Sequence, residues 1–74
     1  MIVTVELFSY FRKGRFDQDM MELPSGATVA DLANQLEIDI ADVGVLIING
    51  ISATKKDRLE TGDRITFLPI IGGG

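Results

Sequence analysis

The sequence has 74 residues, of which 46% are hydrophobic, and its formal net charge is −4. This hydrophobic content rules out a disordered chain and suffices for one small domain. There is no cysteine and no histidine, which removes disulfides, thiolate chemistry, the commonest general base and the commonest metal ligand. We therefore expect neither an autonomous enzyme nor a metal site. The negative charge disfavours nucleic acid as a partner.

The sequence also predicts the compartment. No segment is long and apolar enough to span a bilayer, and the first residues lack the basic-then-apolar order of a signal peptide. We expect a soluble, cytoplasmic protein with no membrane partner. The basic residues cluster in residues 12–15 and 55–58, which we interpret as solvated loops.

The first elements predicted along the chain are two strands that form a hairpin. Residues 2–11 alternate in hydrophobicity and predict the first strand. One face carries Val3, Val5 and Leu7, and the other carries Ile2, Thr4, Glu6 and Phe8. A polar turn with a glycine follows at residues 12–15, and residues 16–23 predict the second strand, with Met21 and Leu23 on its apolar face.

One amphipathic helix is predicted after the break at Pro24-Ser25-Gly26. Thr28 is a candidate N-cap, and Asp31, three residues later, completes a weaker version of the capping box. The helix is about ten residues long by its apolar spacing, which is carried by Val29, Leu32, Ala33 and Leu36. Residues 38–44 have no clear period and are interpreted as a connection in which Ile38, and either Ile40 or Val43, reaches the core.

Three further strands are predicted in the second half of the chain. Residues 45–48 form an apolar strand that ends at the tight-turn dipeptide Asn49-Gly50, and residues 51–53 form a short return strand. Leu59 is the next predicted core residue. After a turn at Gly62-Asp63, residues 64–69 predict the last strand. Its core face carries Ile65 and Phe67, and its other face carries Arg64, Thr66 and Leu68.

The order of these elements indicates a fold class. Strand, strand, helix, strand, short strand and strand is the plan of an α+β β-grasp (ubiquitin-like) fold. We expect a mixed sheet of four to five strands with one main helix packed on one face. The other face is left to solvent, so that apolar residues on it call for an explanation.

Three glycines, Gly72, Gly73 and Gly74, end the sequence. Glycine has no side chain to pack, so we expect a flexible tail of residues 72–74 after a β-grasp domain of residues 1–71. Such an arm can carry a terminal carboxylate into a narrow active site. Glycines alone are equally typical of a frayed chain end.

The segment GDRITFLPIIGGG resembles the end of the MoaD/ThiS family of ubiquitin-like sulfur carriers, in which a Gly-Asp turn precedes an apolar strand, a proline and a terminal Gly-Gly. LFSYFRKG, LPSGATVADL and VLIING are similar to the family's first strand, strand-to-helix turn and third strand. The resemblance covers nearly the whole chain. Two departures leave the branch of the family open: Ile70 follows Pro69 where many MoaD proteins have a second proline, and Gly72 stands where a small side-chain residue precedes the Gly-Gly.

The resemblance implies a function for the tail. An E1-like enzyme adenylates the carboxylate of Gly74 with ATP, the acyl group becomes a thiocarboxylate, and the sulfur passes to an acceptor enzyme. Gly74 reacts, and Gly72 and Gly73 occupy the narrow channel that leads to the active site of the enzyme. The chain itself binds no cofactor, because the activating partner uses the ATP, and we expect a monomer when it is free.

The pathway stays open at this point. LFSYFRKG and Leu68-Pro69 favour the small subunit of molybdopterin synthase, whose large subunit is then the acceptor in molybdenum (or tungsten) cofactor biosynthesis. Thiamine thiazole synthesis or another sulfur-transfer pathway is the alternative.

The outer sheet face is a second candidate site. Alternation turns Phe8, Ile47 and Leu68 away from the core, and the first, third and last strands of a β-grasp sheet lie close together. We predict one apolar patch beside the tail, with Arg64 as a charged rim. The resemblance implies that the activating enzyme docks there. The alternatives are scattered surface hydrophobic residues, or an adaptor module that uses the patch and never its terminus.

Overall fold

A computed structural model describes residues 1–70, which contain five strands and one α-helix. The strands are β1 (Ile2–Leu7), β2 (Gln18–Glu22), β3 (Val43–Ile48), β4 (Ile51–Ser52) and β5 (Arg64–Pro69), and the helix is α1 (Val29–Gln35). Two short 3-10 helices span Ser9–Arg12 and Ile40–Asp42. The predicted flexible tail, residues 72–74, lies outside the described residues, so the boundary at residue 71 stays a prediction.

The strands form one mixed sheet in the order β2-β1-β5-β3-β4. β1 and β5 are parallel at its centre, and every other pair of neighbours is antiparallel. The first and last strands of the described chain are thus direct neighbours. The sheet has the strand number and the mixed pairing that the sequence predicts.

The core lies between the sheet and α1. Every apolar residue predicted for the inner faces of the first and last strands is buried to within 1% exposure, which confirms the alternation. The members of the core are Val3, Val5, Leu7, Phe11, Leu23, Ala27, Val29, Leu32, Ala33, Leu36, Ile38, Leu46, Leu59, Ile65 and Phe67. No helix among residues 1–70 has both the length and the hydrophobicity needed to cross a membrane.

The connection between β1 and β2 differs from the predicted turn. β1 ends at Leu7 and β2 begins at Gln18, so the predicted strands over residues 2–11 and 16–23 are both too long. Ser9, the first residue of the 3-10 helix, has a φ of 56°, which ends the extended backbone. This helix carries Phe11 into the core at 3% exposure. Burial of the phenyl ring thus takes precedence over continued strand pairing.

The start of α1 confirms the predicted capping box. The Asp31 backbone N–H donates to Thr28 Oγ1 at 3.3 Å, and the Thr28 backbone N–H donates to Asp31 Oδ2 at 2.9 Å. The helix is shorter than the predicted ten residues because Glu37, with a φ of 59°, leaves the helical conformation. Arg15 holds this end, since its Nε donates to the Leu36 carbonyl at 2.8 Å and its Nη2 to the Glu37 carbonyl at 3.1 Å.

The second half of the sheet follows the prediction closely. Asn49 and Gly50 both have positive φ values, 53° and 82°, and form the turn from β3 to β4. Leu59 and Ile38 are buried as predicted. Ile40 and Val43 are both partly buried against the core, where the sequence predicted only one of them.

Candidate functional site

An apolar patch occupies the outer sheet face at the end where β5 finishes. In the antiparallel pairing of β5 with β3, Leu68 lies opposite Val45 and Thr66 lies opposite Ile47. Phe8 follows the Leu7–Phe67 pair of the parallel β1–β5 register, and its backbone N–H donates to the Phe67 carbonyl at 3.2 Å. The sheet therefore brings together residues from its three central strands. We call Phe8, Val45, Ile47 and Leu68 the apolar patch.

The predicted orientations of Phe8, Ile47 and Leu68 are confirmed, since all three turn away from the core and are half-buried. Val45 is a fourth member that the sequence analysis missed, and it is 46% exposed. The signal was present, because the alternation that turns Ile47 outward also turns the residue two positions earlier outward.

A positive charge adjoins the patch at Arg12, which the sequence analysis did not select. Its guanidinium carbon lies 4.9 Å from the centre of the Phe8 ring, within the range of a cation–π contact. Arg12 Nε also donates to the Leu7 carbonyl at 2.7 Å and lies 3.5 Å from Asp17 Oδ1. These contacts fix a cation at one border of the patch.

Arg64, the predicted charged rim, lies on the same face but is separated from Leu68 by Thr66 along β5. Its guanidinium is held in a network of polar side chains. Arg64 Nη2 lies 2.9 Å from Glu6 Oε2 and donates to Gln18 Oε1 at 3.1 Å. Thr66 Oγ1 donates to Glu6 Oε1 at 3.1 Å. We call Glu6, Gln18, Arg64 and Thr66 the polar network.

The polar network shifts the acid–base equilibrium of its two charged members. The hydrogen bond from Arg64 holds the pKa of Glu6 below its ordinary value, assisted by the bond from Thr66, while desolvation acts in the opposite direction. The hydrogen bond to Glu6 in turn raises the pKa of Arg64. Glu6 is therefore a carboxylate at neutral pH, and the outer face divides into an ionic half and an apolar half.

The chain leaves the sheet beside the apolar patch. β5 ends at Pro69, which pairs with Val43, and the backbone N–H of Ile70 donates to the Asp42 carbonyl at 2.9 Å. Ile70 itself is 57% exposed. The predicted reactive end, Gly72, Gly73 and Gly74, lies outside the described residues, which end at Ile70.

The described residues contain no cluster of three or more histidine, cysteine, aspartate or glutamate side chains that is suited to a metal ion. Several carboxylates instead stabilise turns. Asp39 Oδ1 accepts from the Ala41 N–H at 3.0 Å, and Asp57 Oδ2 accepts from the Thr54 N–H at 2.9 Å. The expectation that the chain binds no cofactor stays a prediction.

The fold and the site together define a class of protein. One helix on a five-stranded mixed sheet, parallel first and last strands, and an apolar patch beside the end of the last strand are features of small ubiquitin-like β-grasp proteins. The sequence model of the ThiS family matches residues 5–74, and the chain belongs to the ThiS family. No curated protein sequence matches it significantly.

Solved structures with the same fold include subunits of a molybdopterin converting factor. The subunit 1 protein from Pyrococcus furiosus is 27% identical, with a TM-score of 0.78 over 96% of this chain and 99% of that chain. SAMP1 from Haloferax volcanii is 19% identical, with a TM-score of 0.75 and full coverage of both chains. A complex of subunits 1 and 2 from Helicobacter pylori contains a chain that is 20% identical, with a TM-score of 0.67 and full coverage of both chains.

These matches confirm the resemblance to the MoaD/ThiS family and the β-grasp fold class. The chain is a ubiquitin-like sulfur carrier of the ThiS/MoaD type, and its family consists of carrier proteins and not of enzymes.

Proposed function

We propose that this chain carries sulfur as a thiocarboxylate on Gly74 for the biosynthesis of a molybdenum or tungsten cofactor. The observation that carries the proposal is the family match, which extends to residue 74 and so includes Gly72, Gly73 and Gly74. The likeness over 96% of the chain to a molybdopterin converting factor subunit 1 supports this pathway over thiazole synthesis. The protein then acts in the cytoplasm, where ATP is available.

The proposed chemistry has two steps. A carboxylate oxygen of Gly74 attacks the α-phosphorus of ATP in the active site of an E1-like enzyme, and pyrophosphate leaves. A sulfide equivalent then attacks the acyl carbon, the bond to AMP breaks, and a thiocarboxylate and AMP result. The carrier has no histidine and no cysteine, and in this proposal the acids and bases of both steps belong to the activating enzyme. Its own contribution is to dock and to present the acyl group.

The apolar patch suits the docking step. Its half-buried aromatic and aliphatic side chains are of the type that interface centres favour, and Arg12 places a cation at its border. The patch adjoins the point at which the chain leaves β5, so that a partner seated on it also receives the tail. We propose the E1-like enzyme and then a molybdopterin synthase large subunit as the two partners, and the existence of a subunit 1–subunit 2 complex in Helicobacter pylori fits the second.

The proposal is tested by incubating the protein with the E1-like enzyme of the source organism, ATP and sulfide, followed by mass spectrometry. The expected product has gained the mass of an oxygen-to-sulfur exchange, and deletion of Gly74 abolishes that gain without changing the unfolding curve. An unmodified wild-type protein refutes the proposal. An amide adduct with a protein amine in place of sulfur points instead to protein modification, the role given by the name of small archaeal modifier protein 1 from Haloferax volcanii, which has the same fold.

A second candidate is an adaptor that binds through the apolar patch and never uses its terminus. The exposure of Val45, with the half-buried Phe8, Ile47 and Leu68, is the observation that favours it. In that case deletion of residues 72–74 leaves function unchanged, whereas Leu68→Glu abolishes it. The sulfur carrier loses function with either change.

A further inference from the structure

Gly44 lies in β3 at the point where β5 ends, and the backbone of Pro69 and Ile70 passes close to it. A Cβ atom placed on Gly44 would lie 3.0 Å from Ile70 Cα, 3.1 Å from Ile70 N and 3.1 Å from the Pro69 carbonyl oxygen. All three are backbone atoms, so no rotation of a neighbouring side chain relieves the contact. Any other residue at position 44 therefore requires the backbone of Pro69 and Ile70 to give by a few tenths of an ångström.

The backbone conformation of Gly44 does not itself call for glycine. Gly14, Gly26, Gly50 and Gly62 have positive φ values, and Gly44 does not. A non-glycine residue can adopt a φ outside the positive range without left-handed strain. The close approach of the chain at Ile70 is therefore what the missing side chain permits.

Two further features hold Ile70 at the same place. The register of β3 against β5 shifts between Val43 and Val45, so Gly44 occupies an irregularity in the strand pairing. Two residues before Gly44, the Asp42 carbonyl accepts the Ile70 N–H at 2.9 Å. Bulges of this kind redirect a strand locally. Here the irregularity and the hydrogen bond both constrain the backbone of Ile70, the last described residue of the chain.

We infer that Gly44 is a positioning residue: it fixes Ile70, and through Ile70 the origin of residues 71–74, relative to the apolar patch. This role rests on the proposed function, in which one partner holds the sheet face and the carboxylate of Gly74 at once. Only four residues join these two attachments, a span of at most about 13 Å. A non-glycine residue at position 44 shifts that origin by a few tenths of an ångström. Because a misplacement of about 1 Å can slow a reaction by about 100-fold, this smaller shift slows it less.

The test compares Gly44→Ala with Gly62→Ala in the sulfur-gain assay with the E1-like enzyme, ATP and sulfide. Gly62 precedes β5, at the far end of that strand from Ile70. It has a φ of +89° and open space around its Cα, so alanine there strains the backbone without touching the chain end. We expect Gly44→Ala to react about two- to tenfold more slowly than wild type, because the shift is a fraction of 1 Å, and Gly62→Ala to react at the wild-type rate.

Amide hydrogen exchange provides a second readout that needs no enzyme. In Gly44→Ala the Ile70 amide should exchange faster, because the shifted backbone weakens its bond to Asp42, while the amides of the central strands keep their protection. Unchanged exchange at Ile70 refutes the positioning role. If the Ile70 amide of Gly44→Ala exchanges faster and the variant still reacts at the wild-type rate, the placement of Ile70 by Gly44 has no importance for activation. If wild-type protein gains no sulfur, the proposed function fails, and the exchange at Ile70 still decides whether Gly44 holds the chain.

Discussion

Glu6 and Arg64 meet diagonally across the parallel pair at the centre of the sheet, with Arg64 Nη2 2.9 Å from Glu6 Oε2. The two residues come from the first and last strands, so the ion pair forms only when both ends of the described chain are in place. It lies on the outer face, next to Thr66 and the apolar patch. The presence of the ion pair therefore indicates that the outer face of the sheet is intact.

The ion pair predicts a specific pH dependence of stability. Because Arg64 lowers the pKa of Glu6 from its ordinary value of 4.5, the folded protein retains the carboxylate more strongly than the unfolded chain does. This contribution is complete above pH 4.5 and is lost as the pH falls through the lower, folded-state pKa. The difference in free energy of unfolding between wild type and Glu6→Gln should therefore shrink when urea unfolding is measured from pH 6 down to pH 3.

Glu22→Gln is the matched control for this experiment. Glu22 is an exposed carboxylate opposite Ile2 on the same face, outside the polar network. Its substitution should change stability less than Glu6→Gln does at pH 6. A Glu6→Gln difference that is constant down to pH 3 contradicts the assigned cause of the pKa shift.

The apolar patch predicts a loss of partner affinity when a charge is placed in it. Leu68→Glu should raise the KM of the E1-like enzyme for the carrier by about tenfold or more, because a carboxylate at an interface centre is left without a partner. Met20→Glu is the control, since Met20 is an exposed hydrophobic residue of the same face on β2, opposite Thr4. Equal effects of the two changes would show that the patch has no special role.

The capping box predicts a stability change at α1. Thr28→Ala removes the acceptor for the Asp31 N–H and should lower the free energy of unfolding by about 1 kcal/mol. For a domain of this size that corresponds to a fall in Tm of roughly 4–8 °C. Thr28→Ser keeps the hydroxyl and should retain most of the stability, and a serine variant as unstable as the alanine variant would rule out the cap as the cause.

The core predicts a contrast between two isoleucines. Ile65 is fully buried in β5, and Ile51 is 71% exposed in β4. Ile65→Val should cost about 1 kcal/mol of unfolding free energy because it leaves a small cavity. Ile51→Val makes the same chemical change at the surface and should cost less than about 0.5 kcal/mol. Chemical denaturation of both variants measures the difference, and equal losses would contradict the assigned burial.

Local patterns in the sequence were sufficient for most of the fold. The spacing of Val29, Leu32 and Ala33 predicts the buried side of α1, and alternation in residues 64–69 predicts both faces of β5, because each pattern reports which side of one element is apolar. The dipeptide Asn49-Gly50 predicts its turn since both residues tolerate positive φ. The outward orientation of Phe8 and Leu68 follows from the same periodicity.

The parts that the sequence did not predict depend on contacts between distant residues. Phe11 continues an apolar stretch after β1, and only the position of the core shows that the chain must turn at Ser9 to bury it. The contact of Arg12 with the Phe8 ring follows from that turn. Gly44 has an ordinary φ, so its closeness to Ile70 is visible only once β3 and β5 are paired.

The parallel pairing of β1 with β5 also decides how the domain responds to force. Ile2 and Pro69 lie at opposite ends of the pair, so tension between the N-terminus and the chain beyond Ile70 pulls the two strands past each other lengthwise. The bonds of this ladder, flanked by Thr4 N–H to Asp63 and Phe8 N–H to Phe67, are then loaded in shear and share the load. The domain therefore resists unfolding when its chain end is pulled, because several hydrogen bonds must break together. An antiparallel hairpin pulled at its open end would instead lose its bonds one at a time.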